Sequence, residues 1–265
     1  MIKSGMCSVT FRNKSPQEII ELTTRAGLSA IEWGSDVHVQ EGDIEAAKEV
    51  KKMTEEAGLE VSSYGSYYRL GNNQDFIPFL KSAVALETAE IRIWAGINPS
   101  AYYFSDARHA IIREAKEISH MASEYGITVS TECHAYTLTD TLQSLLLFMH
   151  EVNEPNFCTY WQRLLHVPEP EQLHFLNTVY TSGKLTNIHV QQFNLYEVTR
   201  EQRLLSEAYD TWLERFLILQ NDTTDRYALL EFVKDGSEEC FLKDAKVLSE
   251  ILGKVNNTRQ NHPLS

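Results

Sequence analysis

Short apolar runs alternate with helical patterns along the whole chain. In the first pair, an apolar run at Met6–Phe11 precedes a helical pattern at Ser15–Ala26. Ser15 is suited to cap that helix, Pro16 fits its first turn, and Gly27 ends it. Alternation of this kind predicts βα units, in which helices connect parallel strands.

Eight such units can be assigned. The predicted strands are Met6–Phe11, Ala30–Trp33, Leu59–Tyr64, Ile91–Trp94, Ile127–Glu132, Phe157–Gln162, Leu185–Val190 and Tyr227–Phe232. The predicted helices are Ser15–Ala26, Asp43–Ala57, Asn73–Leu86, Asp106–Tyr125, Asp140–Val152, Glu169–Tyr180, Leu204–Leu219 and Glu238–Leu252.

Eight βα units in a chain of 265 residues predict an α/β protein with a single (β/α)8 TIM barrel. We expect one barrel domain over residues 1–253, followed by a polar, frayed C-terminal tail at 254–265. The rival fold is a doubly wound open sheet, which normally carries a glycine-rich phosphate turn after its first strand. The segment CSVTFRNKSP has no such turn.

Composition and charge argue against a nucleic-acid partner, a membrane partner and a disulfide scaffold. The net charge of −13 repels a phosphate backbone, so nucleic acid is not expected as a partner. No apolar run approaches the ~20 residues of a membrane span, and the N-terminus lacks a secretory pattern, so we expect a cytoplasmic protein without a membrane partner. The four cysteines form no CxxC pair, which argues against a disulfide scaffold.

The ends of the predicted strands carry the candidate chemistry, because the active face of a TIM barrel is formed there. Side chains alternate along a strand. With Ile127 and Val129 facing the helices, Glu132 points inward at the mouth, and His134 follows on the same parity.

The same alternation turns Gln162, His189 and Glu231 inward. The spacings from Glu132 onward are 30, 27 and 42 residues, close to one βα unit each, with a loop at Asn194–Arg203 lengthening the last. Two carboxylates, an imidazole and an amide oxygen form a ligand set for Mn²⁺, Mg²⁺, Co²⁺ or Zn²⁺. The alternative is that these buried polar groups only hydrogen-bond to one another.

Six segments, SAIEWGSDVHV, IRIWAG, TECHAYTLTDT, TYWQ, NIHVQQF and LLEFVKDGS, resemble in their order the xylose isomerase-like TIM-barrel superfamily. This group includes sugar phosphate isomerases and epimerases and the AP endonuclease family 2. The resemblance implies one divalent metal ion held by Glu132, Gln162, His189 and Glu231. Gln162 departs from the family pattern, which has an Asp there, and an amide should weaken or alter metal binding.

The DNA-repair branch of the superfamily needs further histidines for a trinuclear zinc site. The segments Ser63–Tyr68 and Ile91–Gly96 contain none. The sequence therefore favours a single metal ion and a small-molecule substrate, and related barrels imply that a homo-oligomer is compatible with this fold.

The resemblance implies proton transfer beside a carbonyl group through an enediolate, with Glu132 and Glu231 as the catalytic acid and base. Candidate substrate contacts are His134, Arg92, Glu32 and Trp94, although inward charged residues can also form barrel-filling ion pairs. Other aromatic residues that could wall a sugar pocket are Tyr64, Tyr67, Tyr68 and Tyr136.

Three further side chains have less specific predictions. Trp33 and Trp161 face outward by parity and should belong to the core. His38 either closes over the mouth or is solvated.

The favoured function is a metal-dependent isomerase or epimerase acting on a small sugar, sugar phosphate or keto-polyol. One alternative is a lyase or dehydratase on the same scaffold, with a keto-inositol-like substrate. Another is a metal-poor barrel that binds a sugar without catalysis, which Gln162 makes more credible.

Overall fold

The computed structural model describes residues 1–196 and 199–261, and eight of its strands close into a parallel barrel. The strands are β1 (Ile2–Cys7), β2 (Ala30–Gly34), β3 (Glu60–Arg69), β4 (Glu90–Trp94), β5 (Thr128–Glu132), β6 (Phe157–Trp161), β7 (Leu185–Val190), β8 (Phe193–Tyr196), β9 (Thr199–Gln202) and β10 (Arg226–Leu230). The helices are α1 (Pro16–Arg25), α2 (Ile44–Glu56), α3 (Ile77–Ala85), α4 (Ser105–Ser123), α5 (Leu142–Val152), α6 (Glu169–Thr181), α7 (Tyr209–Leu217) and α8 (Glu238–Asn261).

The barrel confirms the predicted fold class. Strands follow the order β1-β10-β7-β6-β5-β4-β3-β2, so consecutive barrel strands are neighbours and β10 closes on β1. The helices surround the barrel, and the outward side chains of the strands pack beneath them. Trp33 and Trp161 are both fully buried in this layer, where Trp33 donates to Thr54 on α2 and Trp161 contacts Trp212 on α7. Their predicted core positions are correct.

The predicted bounds of the first strand and of the third helix are wrong. The first strand is Ile2–Cys7 rather than Met6–Phe11, and Ser8–Phe11 forms a 3-10 helix. The polar start of the strand, where Lys3 pairs with Glu60 at 2.7 Å, hides it from a search for apolar runs. Helix α3 begins at Ile77 rather than Asn73, because Asn73 has a φ of 53° and Pro78 occupies the first turn.

The predicted loop at 194–203 contains an antiparallel hairpin, β8 and β9. It stands outside the barrel sheet, immediately after β7. The helix expected from Leu204 starts instead as a short 3-10 turn at Leu205–Ala208 and becomes α-helical only in α7. The hairpin therefore extends the loop region at the mouth of the barrel.

The expected frayed tail from Lys254 is wrong for residues 254–261, because α8 continues to Asn261 and buries Val255 completely. The Asn256 side chain also forms two hydrogen bonds to the first strand: its Nδ2 donates to the Ile2 carbonyl at 3.0 Å, and its Oδ1 accepts from the Ile2 amide at 3.3 Å. The boundary expected at residue 253 thus falls inside a packed helix. Residues 262–265 lie outside the described residues.

Within the described part of the chain, no helix is long and apolar enough to cross a membrane.

The Asn256 contact generates a stability prediction. Asn256→Ala removes both hydrogen bonds to the buried Ile2 backbone and should lower the free energy of unfolding by about 1–3 kcal/mol. The neighbouring Asn257 is exposed, so Asn257→Ala should change it by less than about 0.5 kcal/mol. Urea unfolding followed by circular dichroism measures both, and equal effects would show that the Ile2 contact is not stabilising.

Candidate active site

Glu132, Gln162, His189 and Glu231 converge at the carboxyl ends of β5, β6, β7 and β10, as the alternation of side chains predicts. Ligand atoms of Glu132, His189 and Glu231 all lie within 4.8 Å of one another. His189 Nδ1 is 3.7 Å from Glu132 Oε1 and 3.5 Å from Glu231 Oε2. All four side chains are buried, so the cluster concentrates charge in a region of low dielectric constant.

Glu132 is held by three hydrogen-bond donors. Arg92 Nη1 and Trp94 Nε1 donate to its Oε2 at 2.5 and 2.6 Å, and Gln162 Nε2 donates to its Oε1 at 2.6 Å. Burial opposes ionisation, but Arg92 and His189 outweigh it and hold the pKa of Glu132 well below its usual range. This side chain is therefore a carboxylate at any ordinary pH.

Glu231 has a different environment. Its carboxylate accepts a long hydrogen bond from Gln191 Nε2, which lies 3.3 Å from Oε2. Burial raises its pKa, and the nearby Glu132 and Glu32 act in the same direction, while His189 and Arg92 oppose them. The two catalytic candidates named from the sequence thus have unequal surroundings: Glu132 accepts from three side chains, whereas Glu231 accepts one long hydrogen bond from Gln191.

His189 is completely buried, yet neither of its ring nitrogens makes an aligned hydrogen bond. Burial opposes the charged ring, but the adjacent Glu231 and Glu32 raise the pKa of His189 well above its usual value. A buried imidazole nitrogen without a hydrogen-bond partner is energetically unfavourable. A divalent cation bound between this nitrogen and the two carboxylates would supply the missing partner. Glu132, His189 and Glu231 therefore fit a metal ion by their chemistry.

Gln162 is part of an amide chain. Its Nε2 donates to Glu132 and to the Cys133 carbonyl at 2.9 Å, while its Oε1 accepts from Gln191 Nε2 at 2.6 Å. Gln191 in turn accepts from Arg200 on β9. Gln191 was not singled out in the sequence, although it lies two residues after His189 and so shares its parity.

Arg92 and Glu32 lie beneath the cluster. Arg92 Nε donates to Glu32 Oε1 at 2.9 Å while its Nη1 holds Glu132, so one guanidinium joins two buried carboxylates. Arg92 lines the cavity at the mouth, as expected for a substrate contact. Glu32 is only 1% exposed and does not line that cavity, so the predicted substrate contact is not supported for this residue.

His134 and Trp94, the other predicted substrate contacts, both line the cavity. Their rings stack with centroids 4.5 Å apart. The guanidinium carbon of Arg69 also lies 3.7 Å from the centroid of the Trp94 ring. His134 Nδ1 is 2.5 Å from the Ala135 carbonyl, which can only accept, so Nδ1 carries the proton. The lone pair of the neutral ring is then on Nε2.

The cavity above the cluster has a volume of about 260 Å³, which suits a small molecule. Sequence reasoning missed its cationic lining because three of the residues lie in loops or on the hairpin. These are Arg12, Arg163 and Arg200. Its aromatic residues besides Trp94 are Tyr67, Tyr136, Phe193 and Phe232.

Three predictions about rings near the mouth are wrong. Tyr64 is turned toward the helices and donates to the Val39 carbonyl, while Tyr68 packs between Phe76 and Phe79. Tyr64 follows a register shift between β3 and β2, where Ile31 pairs with Val61 but Glu32 pairs with Ser63. Tyr68 lies within a second shift, between β3 and β4, which runs from Gly65 to Arg69. His38 neither covers the mouth nor is solvated, because it is buried against Trp33 with Nε2 3.0 Å from the Lys14 carbonyl.

A larger hollow of about 720 Å³ lies between α2, α3 and α4. It is lined mainly by apolar side chains such as Ile77 and Leu80 and contains none of the residues predicted for the site. The chemistry of the molecule is therefore concentrated in the smaller cavity at the mouth of the barrel.

Comparison with known proteins was made by sequence and by structure. No family model matches the sequence. A 3-dehydroshikimate dehydratase of Bacillus anthracis is 24% identical over 279 residues, covering 94% of this chain and 97% of that protein. The crystal structure of the probable 3-DHS dehydratase AsbF, involved in petrobactin synthesis in Bacillus anthracis, superposes with a TM-score of 0.77 at 20% identity, covering 94% of this chain and 99% of that one.

Two further structures extend the comparison. An L-ribulose 3-epimerase has a TM-score of 0.72 at 13% identity and covers 99% of this chain and 98% of its own. A xylose isomerase-like TIM-barrel protein of Mycobacterium smegmatis, in complex with magnesium, has a TM-score of 0.71 at 13% identity, with 98% of each chain covered. These similarities show that the fold is that of the xylose isomerase-like TIM barrels.

The Arg92 ion pair depends on Gly65, which generates a prediction. A Cβ atom at Gly65 would lie 2.7 Å from Arg92 Nη2 and 3.0 Å from Glu32 Oε1. Gly65→Ala should therefore displace the pair and lower the free energy of unfolding by about 1–3 kcal/mol.

Gly253→Ala is the matched control. Gly253 lies inside α8, and a Cβ there meets no atom within 4 Å, so the same substitution should stabilise the protein by roughly 0.5–1 kcal/mol. Thermal unfolding of the two variants compares them directly. A Gly65→Ala protein as stable as the wild type would contradict the close packing described here.

Proposed function

We propose that this xylose isomerase-like TIM barrel is a divalent-metal-dependent lyase that removes water from a small, anionic, hydroxylated ketone. The observation that carries the proposal is the unequal pair Glu132 and Glu231 beside His189, beneath a cavity lined by arginines. The similarity to a 3-dehydroshikimate dehydratase supports the dehydratase reading over the isomerase or epimerase first favoured from the sequence.

The metal ion would be held by Glu132, His189 and Glu231, and the amide oxygen of Gln162, which here accepts from Gln191, would be the fourth ligand. Bound there, a divalent ion would polarise the carbonyl oxygen of a substrate and so make the adjacent carbon more acidic. The neutral amide of Gln162 supplies no charge, so the site carries two anionic ligands in place of the three implied by the family pattern.

Proton transfer requires a group that is not already saturated with donors. Glu132 accepts from Arg92, Trp94 and Gln162, so it is a poor base. Glu231 and His134 remain, and both line the cavity. His134 is suited to this role because its Nδ1–H is fixed by the Ala135 carbonyl and its Nε2 retains a lone pair.

The proposed reaction is an elimination. One of these two groups takes the proton from the carbon beside the carbonyl, the electron pair forms the new C=C bond, and the C–O bond to the hydroxyl on the next carbon breaks. The departing hydroxyl group receives the proton that the base took and leaves as water, so the base is regenerated and no redox partner is needed. A single base suffices here, whereas epimerisation needs groups on both faces of the substrate.

Arg200 supports an anionic substrate. Arg12, Arg92 and Arg163 are each paired with carboxylates, but among the described residues Arg200 has no ion pair. It is partly buried at the cavity, contacts the Gln191 amide and lies 4.5 Å from the Phe193 ring. An unneutralised guanidinium in this position would bind a carboxylate or phosphate group.

A second candidate is the isomerase or epimerase. The convergence of two carboxylates, Glu132 and Glu231, on one cavity favours it, because the pair could exchange a proton on opposite faces of a keto-sugar. Incubation with keto-sugars in D₂O distinguishes the two: an epimerase would incorporate deuterium into an isomeric product, whereas a lyase would release water.

The metal prediction is tested by elemental analysis after dialysis and reloading with Mn²⁺, Mg²⁺, Co²⁺ or Zn²⁺. We expect about one ion per chain in the wild type and its loss in Glu132→Ala and His189→Ala. Glu45→Ala, which removes an exposed carboxylate on α2, should retain it. The loaded enzyme is then assayed with 3-dehydroshikimate, whose dehydration gives an aromatic product with strong ultraviolet absorption. Wild-type protein without metal under every loading condition would favour the non-catalytic sugar-binding alternative.

Arg200→Ala should raise KM for an anionic substrate by about 10- to 100-fold, because a hydrogen-bonded charge pair contributes about 1.5–3 kcal/mol. Arg25→Ala removes the same charge from an exposed position on α1 and should leave KM unchanged. Steady-state kinetics of both variants on any substrate found in the dehydratase screen makes the comparison. Equal KM values for wild type and Arg200→Ala would exclude this arginine from substrate binding.

A further inference from the structure

Glu32 is a buried carboxylate for which the proposed reaction has no use. It lies on β2, one level below the metal-ligand candidates, and is 1% exposed. An ionised group there requires strong local partners, since burial alone would neutralise it. Arg92 and His189 outweigh the effect of burial and lower the pKa of Glu32 to about 2.

The partners of Glu32 connect it to the imidazole of His189. Its Oε2 accepts from Ser63 Oγ at 2.8 Å and its Oε1 from Arg92 Nε at 2.9 Å. The same Oε1 lies 3.3 Å from His189 Nε2, within reach of a hydrogen bond that needs only a turn of the ring, since the two groups are not aligned here. On the other side of the ring, Nδ1 faces Glu132 and Glu231. His189 is thus placed between one carboxylate below it and two above it.

We propose that Glu32 is a positioning residue that acts through His189: it accepts the Nε2 proton and so fixes the ring with the Nδ1 lone pair toward Glu132 and Glu231. This inference rests on the proposed function, because it assigns Nδ1 as the metal-binding atom. A hydrogen bond to the far nitrogen of a metal-binding histidine fixes both its tautomer and its orientation.

Cys7 is the competing acceptor. Its Sγ lies within 4.8 Å of a carboxylate oxygen of Glu32 and of a ring nitrogen of His189. A thiol sulfur is a weak acceptor, whereas a carboxylate oxygen is a strong one, so Glu32 is favoured. The two residues stand opposite each other in the β1–β2 register, which makes Cys7→Ala a well-placed control.

Arg92 extends the effect to a second ligand. Because its guanidinium bridges Glu32 and Glu132, the position of Glu32 also sets where Arg92 holds the Glu132 carboxylate. The space for this bridge exists only because residue 65 lacks a side chain. Loss of Glu32 could therefore act through Arg92 rather than through His189, and the experiment must separate these routes.

The test is a double-mutant cycle on Mn²⁺ affinity, measured by the electron paramagnetic resonance signal of free Mn²⁺. Glu32→Gln keeps the volume but loses the charge, and we expect it to raise the Kd by about 10- to 100-fold. Cys7→Ala should leave the Kd within about 3-fold. In a His189→Gln background, whose weaker Kd is measured at higher protein and Mn²⁺ concentrations, Glu32→Gln should have almost no further effect. An equal loss in both backgrounds would mean that Glu32 acts through Arg92 or through its charge alone, and would overturn the proposal.

Nuclear magnetic resonance of the Mg²⁺-loaded wild type gives a readout that needs no variant. Long-range ¹H–¹⁵N correlation should show the His189 ring protonated at Nε2 and not at Nδ1. The opposite tautomer would overturn the proposal even if Glu32→Gln failed to fold. If wild-type protein bound neither Mn²⁺ nor Mg²⁺, the proposed function would fail and this inference with it. If the ion bound with equal affinity in Glu32→Gln, only this inference would fail.

Discussion

The salt bridges of Arg92 are the interaction on which the candidate active site depends. Three buried glutamates, at positions 32, 132 and 231, lie around one histidine, and such a concentration of negative charge is unfavourable without a cation. Arg92 forms ion pairs with two of them from within the barrel and is itself only 1% exposed. Removing this guanidinium would leave uncompensated carboxylates in the core. The same arginine therefore stabilises the barrel interior and positions the carboxylates of the site.

This constraint explains how the two catalytic carboxylates come to differ. Glu132 accepts hydrogen bonds from Arg92 and Trp94, whereas Glu231 lies near the His189 ring and accepts a longer hydrogen bond from Gln191. The barrel fold is shared by enzymes with several reactions, so the fold alone does not select among them. The distribution of hydrogen-bond donors around otherwise similar side chains is the feature that can.

Sequence reasoning could predict what depends on strand alternation. The eightfold repeat gave the barrel, and parity at the strand ends placed Glu132, Gln162, His189 and Glu231 together. Parity says which face a side chain occupies but not its depth, so Glu32 was expected in the cavity and lies below it. Two other failures have local causes. Tyr64 and Tyr68 lie beside two separate register shifts of β3 and are turned away from the cavity, and the hairpin that carries Arg200 is too short to show a strand pattern.

The closure of the barrel has a consequence for how the protein is made. Strand β1 pairs with β10 on one side, from Ile2 with Arg226 to Met6 with Leu230, and Asn256 of the last helix holds its first residue. Contacts between the two ends of a chain form late, since the largest loop must close first. During synthesis the first strand therefore has an unpaired edge until nearly the whole chain has left the ribosome. Over that interval one edge of the first strand has unpaired backbone groups, which are of the kind that pair with other chains.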